Sequence, residues 1–264
     1  MTYDLNGSTL NDGMNSYVWD ARNRLASADN NGASFAYDPL GRRVSKTILS
    51  TTTNFLYDGV NAVQESGTLP TANLLTGGVD ERFTRTSSTE TDNYLTDALG
   101  STVALTDATG ATEEQYSYGP YGILSASGGT TTNSYTYTGR ETDGLGVDYY
   151  RARYYNPTTG RFLSEDPIGF AGGLNLYAYA SENPLSLKDA FGTCPWTCED
   201  ADNANFLIMA FIAIIIFELV LLAFLWPGGA LALFMFGAGG VLLGSGIAAL
   251  EALYQLAHGA ACKK

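Results

Sequence analysis

The residues that could perform chemistry concentrate between Asp148 and Gly192, where carboxylates stand among tyrosines and arginines. The sequence offers no other candidate catalytic constellation. Two carboxylates that lie close together cannot both ionise cheaply, so one stays protonated as an acid while the other activates water. An arginine beside them can hold a substrate or stabilise a developing negative charge. This segment could therefore hydrolyse a bond if the fold brought two of its carboxylates together.

Metal chemistry has few possible ligands in this sequence. The chain has one histidine, His258, and three cysteines, Cys194, Cys198 and Cys262. Cys194 and Cys198 could close a small disulfide loop outside the cytoplasm or bind a metal with other partners, but unpaired or structural thiols are the favoured interpretation. A four-ligand zinc site is not supported. We expect no metal site and no cofactor.

Short strands and tight turns must position the carboxylates. Residues 148–155 alternate aromatic and charged side chains, which predicts one β-strand with two distinct faces. Residues 156–160 and 164–167 contain the Asn, Pro, Gly and Asp that favour turns. Residues 174–180 are predicted to form a last short aromatic strand. The segment is thus expected to be a series of strand and turn units.

An aromatic–aspartate pair recurs through the first part of the chain at intervals of 16 to 20 residues. In each unit we expect the aromatic residue to end a strand and the aspartate to cap the following turn with its own carboxylate. One such hairpin is only marginally stable, so the units must stack side by side to bury their tyrosines. The four pairs are Tyr3-Asp4, Trp19-Asp20, Tyr37-Asp38 and Tyr57-Asp58.

Composition agrees with stacked hairpins and limits the partners. The chain of 264 residues has 30 Gly, 17 Tyr and a formal charge of −13. Excess Tyr and Gly favour short strands joined by tight turns. The acidic balance argues against a nucleic-acid partner, because phosphate binding needs clustered Lys or Arg. Aromatic stripes could bind a glycan by stacking, although packing of the sheet is the favoured interpretation.

Three ordered motifs and a final Asn-Pro carry a family resemblance: YRARYYNP at 150–157, GRFLSEDPIG at 160–169, GGLNLYAY at 172–179, and Asn183-Pro184. Residues 1–192 resemble the RHS repeat-associated core of YD-repeat proteins. This family includes bacterial RHS toxins, the C component of insecticidal toxin complexes and, more distantly, teneurins. The resemblance implies a large wound β-sheet that forms a hollow shell.

The resemblance also implies an aspartyl autoprotease at the end of the core. In the family, such a site cuts the chain after a motif of the form Asp-Pro-x-Gly-Leu. Transferred residue by residue, the two aspartates fall on Asp166 and Asp189, and an assisting arginine falls on Arg153. The alternative interpretation assigns Asp166 to an ordinary turn and Arg153 to a strand.

The predicted cleavage motif departs from the family pattern at two positions. It reads Asp-Ala-Phe-Gly-Thr over residues 189–193, with Ala190 and Thr193 in place of Pro and Leu. A cut would fall between Thr193 and Cys194. Because the leucine side chain is expected to fill an apolar pocket, the threonine puts self-cleavage in question.

The sequence changes character after residue 205. Residues 206–226 carry one charge, Glu218, and residues 230–250 carry none, with a turn-forming Pro-Gly-Gly between them. Each stretch is long enough to cross a bilayer. Gly240 and Gly244 have the spacing that lets two helices approach closely. Glu218 is a candidate pore or relay residue, although a protonated glutamate bonded to the second helix is the favoured interpretation.

Together these observations predict a mainly β chain: YD repeats over 1–140, the end of the RHS core over 141–193, a cysteine-containing linker over 194–205 and a transmembrane helical hairpin over 206–264. We expect part of an RHS polymorphic toxin or effector whose variable C-terminal module acts on membranes. The alternative is a membrane-anchored cell-surface or adhesion protein without catalytic activity.

The expected partners follow from this prediction. They are the membrane, an upstream YD-repeat shell or secretion apparatus, and an immunity protein. The protein is expected at a membrane, on the cell surface or secreted. The first residues lack a charged n-region and an apolar h-region, so we expect no signal peptide in this chain and further repeats upstream.

Overall fold

The computed structural model describes residues 1–29, 32–129 and 131–193. Its contacts divide the chain into the units Met1–Pro195 and Trp196–Lys264. The predicted linker and transmembrane hairpin lie outside the described residues. Over the described ranges, every regular element is a β-strand or a short 3₁₀ turn, which confirms the mainly β prediction. None of the helices in these ranges has the length and apolar character needed to cross a membrane.

The repeats form one antiparallel meander of twelve strands, β3 to β14, whose order in the sheet follows their order in the sequence. A separate two-stranded ribbon, β1 and β2, precedes it. The strands are β1 Thr2–Tyr3, β2 Thr9–Asn11, β3 Tyr17–Trp19, β4 Leu25–Ala28, β5 Ala33–Tyr37, β6 Arg43–Ile48, β7 Thr51–Asp58, β8 Asn61–Gly67, β9 Ala72–Thr76, β10 Arg82–Thr86, β11 Thr91–Thr96, β12 Thr102–Thr106, β13 Thr112–Tyr118 and β14 Leu124–Gly128.

Two turns of the meander confirm the predicted role of their aspartates. Asp20 Oδ1 accepts a hydrogen bond from the backbone N–H of Arg24 at 3.0 Å, and its Oδ2 accepts one from Arg24 Nε at 2.8 Å. The Arg24 guanidinium then stacks 4.7 Å from the ring centre of Tyr37, the aromatic residue of the next repeat. Asp38 and Arg42 repeat both hydrogen bonds. These two repeats are therefore each closed by their own aspartate and joined to the next repeat by their arginine, whereas Asp58 is the last residue of β7.

A second antiparallel sheet of four strands follows, formed by β15 Glu141–Thr142, β16 Asp148–Tyr150, β17 Arg153–Asn156 and β18 Arg161–Phe162. The prediction of one strand over 148–155 is wrong. Tyr150 pairs with Arg153, so Arg151 and Ala152 form a two-residue turn between β16 and β17. The strand predicted over 174–180 is absent too, since only an isolated bridge at Ala178 forms there.

Aromatic side chains of the second sheet are buried rather than presented to solvent. Tyr150, Tyr155, Phe162 and Tyr179 pack in one cluster, with the ring centres of Tyr155 and Tyr179 4.3 Å apart. Edge-to-face and offset ring pairs of this kind add to the stabilisation from burial. These tyrosines therefore pack in the core, in agreement with the favoured interpretation that the aromatic stripes pack the sheet.

Buried charges join the two sheets. The Arg43 side chain, from β6, is completely buried and donates to the carboxylates of Glu141 and Asp143 beside β15. Its guanidinium also lies 4.1 Å from the ring centre of Tyr149. Buried ions need such close partners, because an unpaired one would cost several kcal/mol. The second sheet is thus fixed against the repeats, which sets the position of β17 and the loops that follow it.

Candidate active site

The structure brings the three predicted catalytic side chains together. Arg153 Nη2 lies 2.9 Å from Asp166 Oδ2 and 3.3 Å from Asp189 Oδ2. All three residues are buried, with 2 %, 8 % and 1 % of their surfaces exposed, respectively. Two carboxylates from distant parts of the chain therefore share one guanidinium nitrogen away from bulk water.

The remaining donors of Arg153 fix it in place. Its Nη1 donates to the carbonyl oxygen of Leu176 at 3.0 Å, and its Nε donates to the carbonyl oxygen of Gly192. Its guanidinium carbon lies 3.6 Å from the ring centre of Phe162 in β18. A planar guanidinium can meet several acceptors and one aromatic face at once, which a lysine cannot do. Arg153 is thereby held between both carboxylates and the predicted cleavage motif.

Asp166 is positioned by the turn that its own sequence encodes. Its backbone N–H donates to the Leu176 carbonyl oxygen at 2.9 Å, and its Oδ1 accepts from the Ile168 N–H at 3.0 Å. Pro167 lies between these residues and offers no competing N–H. The other carboxylate oxygen, Oδ2, faces Arg153 and pairs with it.

The cleavage motif is held mainly through its backbone. Asp189 Oδ1 accepts a hydrogen bond from the Thr193 N–H at 3.1 Å, and the Phe191 carbonyl oxygen accepts one from the Ala152 N–H at 3.2 Å. Gly192 has a φ of +69°, and a Cβ there would lie 2.2 Å from the Tyr150 carbonyl oxygen. Only glycine fits both this conformation and this approach.

Gly172 shows how near the carbonyl of Thr193 lies to Asp166. A Cβ added at Gly172 would lie 2.6 Å from Asp166 Oδ2 and 3.0 Å from the Thr193 carbonyl oxygen. The carboxylate and the carbonyl of the predicted cleavage residue are therefore neighbours across a residue without a side chain. Gly172 is a site residue missing from the sequence-based prediction, although its place in a Gly-Gly pair after a turn was a usable signal.

Burial shifts the pKa of Asp166 upward. Removal from water raises the pKa of its carboxyl group, while the Ile168 N–H and the Arg153 guanidinium act in the opposite direction without cancelling the increase. A carboxyl group with a raised pKa is the member of a pair that keeps its proton. The arrangement thus offers an acid, a second carboxylate and a cation beside one peptide carbonyl.

Four other predicted site residues lie outside the described residues. These are Cys194 of the cleavage site and Glu218, Gly240 and Gly244 of the predicted membrane segment. A residue that the sequence analysis missed, Arg151, also contacts the cleavage motif by donating to the Ala190 carbonyl oxygen. Its contact depends on the turn between β16 and β17, which the alternating sequence pattern did not reveal.

Known proteins share both the sequence and the fold. The tRNA3(Ser)-specific nuclease WapA of Bacillus spizizenii is 32% identical over 223 residues, which cover 78% of this chain and 10% of that protein. Toxin subunit YenC2 of Yersinia entomophaga is 43% identical over 95 residues, covering 35% of this chain and 10% of that subunit. The crystal structure of TcdB2-TccC3-Cdc42 matches with a TM-score of 0.60 and 23% identity over 72% of this chain and 11% of that chain.

These matches define the class of protein. The stacked hairpins share the fold of part of the solved toxin-complex chains. The chain belongs to the RHS/YD-repeat family, as its three ordered motifs predicted. It spans about a tenth of the length of the relatives described above. No family profile matches the chain.

Proposed function

We propose that this chain is the C-terminal region of an RHS-repeat polymorphic toxin, and that the end of its β-shell is an aspartyl autoprotease that cuts after Thr193. One observation carries the proposal: two buried carboxylates share the guanidinium of Arg153, and one of them adjoins the Thr193 carbonyl across Gly172. An ordinary turn aspartate needs neither burial nor a second carboxylate.

The roles follow from position and protonation. Asp166, whose pKa burial raises, is assigned the role of the acid, and in its protonated form it donates a hydrogen bond to the Thr193 carbonyl oxygen, its neighbour across Gly172. Asp189 takes a proton from a water molecule, whose oxygen attacks the carbonyl carbon. The bond to Cys194 nitrogen then breaks as that nitrogen receives a proton from Asp189, leaving a new carboxyl group and a new amine. Arg153 stabilises the negative charge that develops on the oxygens around it.

The two departures from the family motif do not remove the contacts that hold it. Ala190 and Phe191 are bound through their carbonyl oxygens, and Gly192 supplies the required backbone conformation. Thr193 is bound through its N–H. Because these contacts use the backbone, alanine and threonine can replace proline and leucine without losing them. This supports self-cleavage in spite of the altered motif.

Intact mass spectrometry of the purified chain tests the autoprotease. We expect two fragments that meet at the Thr193–Cys194 bond in the parent, and one uncut species of 28.1 kDa in Asp166→Asn. The matched control is Asp107→Asn, because Asp107 caps an exposed turn by accepting backbone hydrogen bonds and is not part of the site. An uncut parent, or a cut Asp166→Asn chain, would overturn the proposal.

The proposed payload is the segment after Thr193, and its proposed target is the membrane. Support comes from the sequence of residues 206–226, with Glu218 as its one charge, and from the uncharged residues 230–250. The related WapA is named as a tRNA nuclease, so a nucleic-acid target is the competing candidate. We further propose that the whole protein is secreted or displayed at the cell surface, with an upstream shell and an immunity protein as partners.

Dye release from phospholipid vesicles separates these targets. The cleaved chain should release dye, whereas the uncut Asp166→Asn chain should release much less because its payload stays attached. Degradation of tRNA without dye release would instead favour a nucleic-acid target. Vesicle binding by the cleaved chain without release of dye would favour the membrane-anchor alternative.

A further inference from the structure

A second arginine joins the repeat sheet to the cleavage motif. Arg151 Nη1 donates to the carbonyl oxygen of Ala190, the residue directly after Asp189. The same guanidinium contacts Asp80, with Nη2 2.7 Å from Oδ1 and Nη1 3.1 Å from Oδ2. Asp80 belongs to the turn between β9 and β10 of the large sheet. The Arg151 side chain therefore links the β9–β10 turn to the cleavage motif.

Asp80 is itself held by partners from both sheets. Its side chain is completely buried, and Arg140 Nη1 lies 2.5 Å from its Oδ1. Arg140 in turn donates from Nε and Nη2 to the Tyr149 carbonyl oxygen, at 3.0 and 2.7 Å. The Asp80 N–H donates to Asn61 Oδ1 at 3.2 Å. Burial acts to raise the pKa of Asp80, but Arg140 and Arg151 outweigh it and lower the pKa, so the carboxylate stays charged.

Both residues of this pair adopt a backbone conformation that favours glycine. Asp80 has a φ of +62° and Arg151 a φ of +55°. Arg151 occupies the first of the two turn residues between β16 and β17, a position where tight hairpins commonly use glycine or asparagine. A residue with a long side chain costs free energy there. The contacts of the Arg151 side chain with Asp80 and Ala190 offset this cost.

We propose that Arg151 and Asp80 are positioning residues for self-cleavage, and that they make cutting depend on completion of the repeat sheet. This inference rests on the autoprotease proposed above. Arg151 is held at the Ala190 carbonyl oxygen by Asp80, which the β9–β10 turn delivers, and also by the Val60 carbonyl oxygen in the turn between β7 and β8. Since Ala190 follows Asp189, this anchor sets the approach of Asp189 to Arg153 and to the Thr193 peptide bond. A shell that has not closed around β9 and β10 stays uncut.

The test follows cleavage of the full chain during cell-free synthesis, with a radiolabelled pulse, a chase and gel separation of the fragments. Arg151→Gly removes the contact while suiting the positive φ. Asp80→Asn removes the charge and keeps a residue that tolerates that conformation. We expect either variant to slow cleavage about 10- to 100-fold, the range that a misplaced reacting group costs.

Three further measurements separate positioning from a general loss of stability. Glu65→Gln is the matched control, because Glu65 is a buried acid of the same sheet whose partner, Arg85, is remote from the motif. It should lower the unfolding temperature without slowing cleavage. Arg151→Lys, which can still reach a carbonyl oxygen, should restore part of the rate. The pH profile of cleavage should keep its shape in the Arg151 and Asp80 variants, since Asp166 and Asp189 are unchanged.

The outcomes distinguish the positioning role of Arg151 and Asp80 from the autoprotease on which it rests. A parent chain that stays uncut overturns both. A parent that is cut only when Asp166 is intact, together with Arg151→Gly and Asp80→Asn cut at the parent rate, leaves the autoprotease standing and overturns the positioning role. Equal slowing by Glu65→Gln would also overturn it, because the effect would then follow stability alone.

Discussion

Aspartate and arginine form ion pairs in both the repeat turns and the candidate active site, yet the two environments give them opposite properties. At Asp20, burial acts to raise the pKa, but hydrogen bonds from the Arg24 side chain and the turn amides outweigh it and lower the pKa. At Asp166, burial prevails and the pKa is raised. The side chains of Asp20 and Arg24 are about a quarter exposed, whereas those of Asp166 and Arg153 are almost covered.

The difference shows what separates an ion pair in a repeat turn from the cluster in the candidate site. In the turn, one carboxylate meets one guanidinium and two nearby amides, so its charge is fully satisfied by residues within four positions of it. In the site, one guanidinium is divided between two carboxylates and two carbonyl oxygens. Sharing a single cation while buried leaves one acid inclined to keep its proton.

The largest contrast is expected when the arginine is removed from each region. Arg153→Met would leave two buried carboxylates without their cation, so the free energy of unfolding should fall by about 3–5 kcal/mol and cleavage should stop. Arg24→Met removes a partly exposed pair and should cost at most about 1 kcal/mol, with cleavage unchanged. Urea unfolding and intact mass report the two effects.

A second variant distinguishes a loss of cleavage from a loss of folding. Arg153→Lys keeps the charge but cannot donate to both carbonyl oxygens and both carboxylates. It should recover part of the stability without recovering cleavage. Equal losses of stability in Arg153→Met and Arg24→Met would contradict the distinction between the two regions.

These contrasts also mark what the sequence could and could not predict. Repeat turns are local, since Asp20 contacts amides and a guanidinium no more than four residues away, and a spacing rule therefore finds them. The cluster around Arg153 joins residues as far as 39 positions apart, so only the family resemblance located it. Arg151 was missed because its aromatic and charged neighbours continue the alternating pattern across a turn that contains no glycine.

A smaller effect is expected from adding one methyl group beside the site. Gly172→Ala would place its Cβ against Asp166 Oδ2 and the Thr193 carbonyl oxygen, so either the acid or the carbonyl must move. Cleavage should slow by about tenfold or more, with little loss of folding. The control is Gly119→Ala, whose Cβ would make an ordinary contact with Ile123 at 3.5 Å. Fragment mass against time measures both; a parent-like rate for Gly172→Ala would contradict the close approach.

The smallest effect on cleavage is expected at a buried acid of the repeat sheet that resembles Asp166 more than Asp20. Burial and the neighbouring Glu90 raise the pKa of Asp92 from 3.8 to about 6, against the lowering by Arg85. Asp92 Oδ1 has no hydrogen-bond partner among the described residues. Burial with a shared cation therefore raises the pKa of an aspartate in the repeats as well, where no peptide bond is proposed to be cut.

Because the folded-state pKa of Asp92 lies above its ordinary value, the folded chain binds this proton more tightly than the unfolded chain does. The resulting stabilisation is complete below pH 3.8 and is lost as the pH rises through about 6. Relative to Asp92→Asn, the parent should lose on the order of 2 kcal/mol of unfolding free energy between pH 4 and pH 7. Urea unfolding at the two pH values measures this difference, and a parent whose stability relative to Asp92→Asn rises with pH would contradict it. The cleavage pattern should be the same in both chains, because no peptide bond beside Asp92 is proposed to be cut.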